Sequence, residues 1–275
     1  MSTATLDRPR TSTSSVQVEP VTQSRVLNSE WIKMRSLRST GLTLLAAVVA
    51  MIAIGWIVGW ATNAHWATQR PDEIASFNPI TNSLNGYHLA QLAVGVLGVL
   101  LVSGEYATGM IRATFQSVPT RLPVLWAKAA LYAGVTFVLM LAASFAAFLG
   151  GQQFLGTHGT SLSASGAVQD IFGVTGYLTL IGIFAVALGF IIRSTAGGIA
   201  TLFGLLLVLP GIGLVLPTSW QANTLPYLPS NAGASMFSPQ TAVGSLTAGA
   251  GLVVLVTWVV VALAGAAVLV KRRDA

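Results

Sequence analysis

Charged side chains are scarce in this chain, so each one stands out as a candidate for chemistry. Only 8% of the 275 residues are Asp, Glu, Lys or Arg, and one internal stretch holds several of them: Gly104 to Lys128, GEYATGMIRATFQSVPTRLPVLWAK. It carries a carboxylate, Glu105, three cations, Arg112, Arg121 and Lys128, and two prolines. At a helical period, Glu105, Arg112 and Gln116 fall in a narrow arc, while Ala107, Ile111, Phe115 and Val118 occupy a broad arc away from it. The spacing predicts an amphipathic helix ending at Val118. Pro119 lacks an N–H and biases the residue before it away from helix, and Pro123 repeats the interruption before VLWAK. Such a helix can offer its polar arc to a groove on another protein, or rest in lipid headgroups with its basic residues near anionic lipid.

Other chemistries find little support. His65, His88 and His158 have no ligand spacing, and there are no cysteines, so neither a metal site nor thiol chemistry is expected. Asp72, Glu73 and Asp170 form no Ser/His/Asp constellation and read as solvated surface. No G-x-x-x-x-G-K-[ST] phosphate loop occurs; Ala196-Gly197-Gly198-Ile199 opens an apolar run with no lysine to reach a phosphate. The chain reads as no enzyme and as holding no cofactor of its own.

The elements that must position the charged stretch follow from composition. With 53% hydrophobic residues and a mean hydropathy of +0.73, the chain has more apolar surface than one soluble core could bury. The expected fold class is an all-α integral membrane protein with the bilayer as its solvent. Six apolar runs approach the roughly 20 residues needed to cross a bilayer: Leu42 to Trp60, Tyr87 to Ser103, Ala129 to Gly151, Ile171 to Ile192, Ala196 to Pro217 and Ala248 to Val270. The second is short. Residues 1–24, rich in Ser and Thr without apolar period, read as a disordered tail rather than a signal peptide, and 25–275 as one six-span domain. Every Lys and Arg except Arg70 falls on one side of these spans, which predicts a cell-membrane protein with both termini cytoplasmic. The net charge of +6 thus reports topology and not nucleic-acid binding. Before the first span, Leu27, Trp31 and Met34 form a stripe at i, i+4 and i+7, interrupted by Glu30 and Arg38, which predicts an N-terminal amphipathic helix on the inner leaflet.

The charged stretch resembles the signature region of type-2 ATP-binding-cassette (ABC) permeases. The matching residues are Gly104, Glu105, Tyr106, Gly109, Arg112, Pro119, Arg121 and Lys128. The likeness extends to SEWIKMRSLRST upstream and to Arg193-Ser194 between the fourth and fifth spans. It implies a permease subunit of an exporter that pairs with a second permease, identical or homologous, and with separate ATPase subunits carrying ATP and magnesium. It makes the helix between spans two and three a cytoplasmic coupling helix, with Gly104, Glu105, Tyr106, Gly109, Arg112, Phe115, Gln116 and Arg121 as the ATPase-coupling residues. It also points to Gln91 in the second span and Thr201 in the fifth as lining the pathway, and to short re-entrant helices in the uncharged segment Thr218 to Thr247.

Gly55 and Gly59 in the first span, and Gly197, Gly204 and Gly211 in the fifth, each line one helix face and are expected to pack inside the bundle. Pro210 is expected to kink the fifth span. Two other classes compete with the permease reading, an ion-coupled secondary transporter and a non-transporting membrane scaffold. The first usually places ionisable residues deep in its spans, and here charge is confined to span ends. An apolar pathway fits a lipid-like or amphipathic cargo, without choosing among lipids, drugs and peptides.

Overall fold

The computed structural model of the chain describes residues 22–213, 215–238 and 246–272. All regular structure among them is helical. A first helix, α1 (Gln23–Ser36), is followed after one extended residue, Leu37, by α2 (Arg38–Ala64). Two short helices, α3 (Pro71–Ala75) and α4 (Pro79–Leu84), lead into α5 (Tyr87–Ala107). Asn78 starts α4 by accepting the Ile80 and Thr81 amides on its side-chain oxygen, with Pro79 in the first turn where its missing N–H costs nothing. Then come α6 (Met110–Ser117), α7 (Leu122–Leu155) and α8 (Ala167–Ile192).

The fifth apolar run is built from α9 (Thr195–Phe203), a π-helical turn Gly204–Val208 and α10 (Leu209–Gly213). Pro210 cannot donate to the preceding turn, and the widened π-helical turn ends just before it, at the place of the expected kink. Beyond lie α11 (Thr218–Thr224), α12 (Pro229–Ala234) and α13 (Ala248–Arg272). Short helices thus occupy part of the uncharged segment between the fifth and sixth runs; its residues 239–245 lie outside the described residues, as do residues 1–21 of the expected tail.

Six of these helical stretches are long and apolar enough to cross a membrane. They match the six predicted runs, with different ends. Pro123 does not interrupt a helix but sits in the first turn of α7, which therefore begins seven residues before the predicted Ala129 and takes in Lys128. The short second run gains α4 at its N-terminal end, so the stretch Pro79–Ala107 has ample length.

At the centre stands α8, packed by α5, α7 and α13. Seven consecutive residues, Phe184 to Phe190, are buried, the signature of a helix enclosed on all sides. Small residues let it approach its neighbours: an added Cβ on Gly98 of α5 would lie 2.8 Å from the Gly182 carbonyl oxygen. The first-span glycines pack inside the bundle as expected. A Cβ on Gly55 would meet the Ser83 carbonyl oxygen at 2.2 Å, and one on Gly59 the Gly151 carbonyl oxygen at 2.7 Å. The fifth-span glycines behave differently. Among the described residues an added Cβ on Gly204 or Gly211 would meet nothing within 4 Å, so the expectation of packing within the bundle fails for them there.

Candidate functional site

Four charged residues from three helices meet at one end of the bundle. Lys128 of α7 donates to Glu30 Oε2 of α1 at 2.6 Å and to Glu105 Oε1 of α5 at 2.8 Å. Lys33 of α1 donates to Glu30 Oε1 at 2.7 Å, to the same Glu105 oxygen at 3.2 Å and to Thr114 Oγ1 of α6 at 3.1 Å. Glu30, Glu105 and Lys128 are only 4%, 7% and 5% exposed. Two carboxylates balance two ammoniums. Burying charge in this way is costly unless the partners and hydrogen bonds are nearly complete, so the cluster fixes the relative positions of α1, α5, α6 and α7. Burial draws the Lys33 pKa down, but its hydrogen bond to Glu30 and the charges of Glu30 and Glu105 outweigh that and hold it above the ordinary lysine value.

The local sequence explains why these side chains converge. On α1 the inward stripe is Val26, Glu30 and Met34, with Leu27 at its edge, and Trp31 is exposed. Glu30, which interrupts the predicted stripe, is the middle of the real one. It turns inward because Lys128 and Lys33 meet it there. On the other side, α5 ends at Ala107, and Gly109 adopts a left-handed conformation with φ 72° before α6 begins. The change of direction separates Glu105 from Arg112 and Gln116. The predicted polar arc is corrected accordingly: Glu105 belongs to the second span and faces the interior, whereas Arg112 and Gln116 are exposed on α6. The apolar arc survives in part, with Ile111, Phe115 and Val118 buried and Ala107 exposed as the last residue of α5.

Two arginines join this end of the bundle to the last span. Arg121 and Arg193 both hold positive φ, 55° and 57°, which is uncommon for side chains other than glycine. The Arg121 guanidinium lies 5.5 Å from the Phe115 ring centre and donates to the Val270 carbonyl at 3.4 Å; that of Arg193 lies 4.9 Å from the Tyr106 ring and donates to the Leu269 carbonyl, also at 3.4 Å. Cations thereby occupy the C-terminal, partially negative end of α13. Tyr106 is half-buried under Arg193, and Gly104 is half-buried on α5.

The remaining predicted residues lie elsewhere. Gln91 is buried and accepts from the Tyr177 hydroxyl across the α5–α8 contact, so its side chain is engaged within the chain. Thr201 is exposed on α9. No group of three or more His, Asp or Glu suited to a metal is found among the described residues. His158 instead stacks on Trp66, ring centres 3.8 Å apart. Sequence reasoning passed over Glu30 and Lys33 as site residues, although a carboxylate on the apolar stripe of an amphipathic helix was the available signal that a cation waits opposite. No protein-family model matches the chain, and a search of curated proteins finds no similar sequence.

Proposed function

We propose that this chain is the membrane-spanning permease subunit of an ABC exporter, with α6 as the coupling helix and α1 as the amphipathic helix that lies on the inner leaflet. The observation that carries this reading is the fixed mounting of α6. Its apolar face, Ile111 and Phe115, is held by the bundle, Thr114 is tied to the buried cluster through Lys33, and Arg112 and Gln116 are left outward. A short helix braced from behind by four charges can pass a push to α1, α5 and α7 together. In the complete transporter two permease chains, identical or homologous, pair with two ATPase subunits that supply ATP and magnesium. The basic end of the bundle faces the cytoplasm of the cell membrane. The buried acidic and basic side chains of the spans among the described residues, Glu105 and Lys128, are engaged with Glu30 and Lys33 near one end of the bundle, which favours this reading over an ion-coupled carrier.

Arg112→Glu tests it. Reversing a charge at a docked interface typically costs ~2–5 kcal/mol, so recovery of the ATPase with the permease should fall roughly ten- to a thousandfold. A helix resting on headgroups would lose only about 1 kcal/mol of lipid attraction and keep its ATPase. Co-purification at equal membrane levels distinguishes the two, and unchanged recovery with unchanged transport would remove Arg112 from the coupling surface.

A further inference from the structure

The outward side of α1 carries a different chemistry from the side that holds Glu30 and Lys33. Ser29 and Lys33 face α6 across a groove shared with Met110, Ala113 and Ser117, and Lys33 donates to Thr114 there. At 3.6 residues per turn Trp31 points about 160° away from Lys33. Since α6 lies outside the six spanning stretches, Trp31 is on the side of α1 turned away from that outlying helix. Trp31 is 43% exposed, and Leu42, in the first turns of α2, 66%.

Each of these apolar side chains has an exposed arginine one turn away. Arg35 follows Trp31 by four residues and Arg38 precedes Leu42 by four, the spacing that brings side chains together on one helix face. Neither guanidinium makes a hydrogen bond or ion pair among the described residues. Nor is there a carboxylate in reach on their own elements: Glu30 is the one acidic residue of α1 and α2, and it is buried on Lys33 and Lys128. Two cations without counter-charge, set among exposed apolar groups at the entry to a span, suit a surface that offers hydrocarbon and negative charge together. Long basic side chains lay their stems on the first and reach the second with their heads, while tryptophan sits at headgroup level.

We propose that the edge formed by Trp31, Arg35, Arg38 and Leu42 is a seat for anionic phospholipid, with the two guanidiniums on lipid phosphates. The proposal rests on the inner-leaflet placement of α1 given above, and not on the ABC assignment, and it names the lipid. A zwitterionic headgroup also carries a phosphate, but its own ammonium cancels the charge. Two arginines with no carboxylate beside them therefore favour lipids of net negative charge.

The test is local lipid selectivity in the full-length chain. With no native cysteine, Asn28→Cys takes a fluorophore alone, at an exposed position on the same face as Trp31 and Arg35. The labelled protein is placed in phosphatidylcholine vesicles containing the same small fraction of either phosphatidylglycerol or phosphatidylcholine brominated on the upper acyl chain, since bromine quenches on contact. Phosphatidylglycerol should quench as though it associated at least about fivefold more strongly, the scale of one basic residue at an anionic surface. Arg35→Gln with Arg38→Gln should bring the ratio close to one, whereas Arg35→Lys with Arg38→Lys, which keeps both charges, should hold it. Equal quenching by the two lipids, a ratio that survives the glutamines, or one lost with the lysines as well would each overturn the proposal and leave α1 on the leaflet. No quenching by either lipid would take α1 off the bilayer, and the inner-leaflet placement would fall with the proposal.

Discussion

Lys128 is the hinge of the buried cluster, because it alone joins Glu30 on α1 to Glu105 on α5 from a third helix while being 5% exposed. Replacing it with methionine keeps the bulk of the side chain and removes the charge, leaving two carboxylates against Lys33. Breaking a buried pair from one side typically costs ~3–5 kcal/mol. The double variant Lys128→Met, Glu105→Gln restores neutrality, since Glu30 and Lys33 then balance, and should recover roughly half or more of that loss through a coupling of ~0.5–3 kcal/mol. Thermal unfolding of the four members of the cycle in detergent gives the answer; strictly additive losses would mean that the charges act separately.

Among the elements, the contrast between the two glycine sets separates helix contacts made within the chain from faces left open. Gly55 of α2 lies against the backbone of the α4 segment, where a Cβ would be 2.2 Å from the Ser83 carbonyl oxygen and has no flexible side chain to displace. Gly55→Ala should force α2 outward and cost ~1–3 kcal/mol, as overpacking does. Gly211→Ala, at a position where an added Cβ meets none of the described residues within 4 Å, should leave stability unchanged or raise it by about 0.5–1 kcal/mol through reduced backbone freedom in the unfolded chain. Paired melting curves of the isolated chain test this. A marked loss for Gly211→Ala would show that something covers the fifth span.

For the whole molecule the prediction concerns sidedness. The junction α5–α6, the start of α7, the turn at Arg193 and the end of α13 gather at one end, tied by Arg121 and Arg193 to the Val270 and Leu269 carbonyls. The aromatic pair Trp66 and His158 joins the loops at the other. With no native cysteine, single replacements label without background. Exposed Ala67 and Ser163 should react with an impermeant thiol reagent in intact cells, and exposed Ser117 and Thr120 only after the membrane is opened. Labelling of Ser117 or Thr120 from outside would invert the topology. Ser230 is a poor reporter of the segment between the fifth and sixth runs, because its hydroxyl oxygen is buried.

The sequence by itself determined the six spanning helices, the two short amphipathic helices and the side on which basic residues collect. Each of these is a local property: apolar length, helical period, or the order of charges along the chain. What the tertiary structure decided was which polar face looks inward. A period alone does not show that the chain turns at Gly109, so it aligned Glu105 with Arg112 and Gln116 when the left-handed residue sends them different ways. Nor does it reveal that Glu30 meets Lys128, 98 residues away, and it therefore took the carboxylate as a blemish on the α1 stripe. Gly55 and Gly211 likewise look alike along the sequence and differ only in what lies opposite them. Partners distant in the chain are brought together by packing, and the desolvation cost of an unpaired charge is what makes those meetings specific.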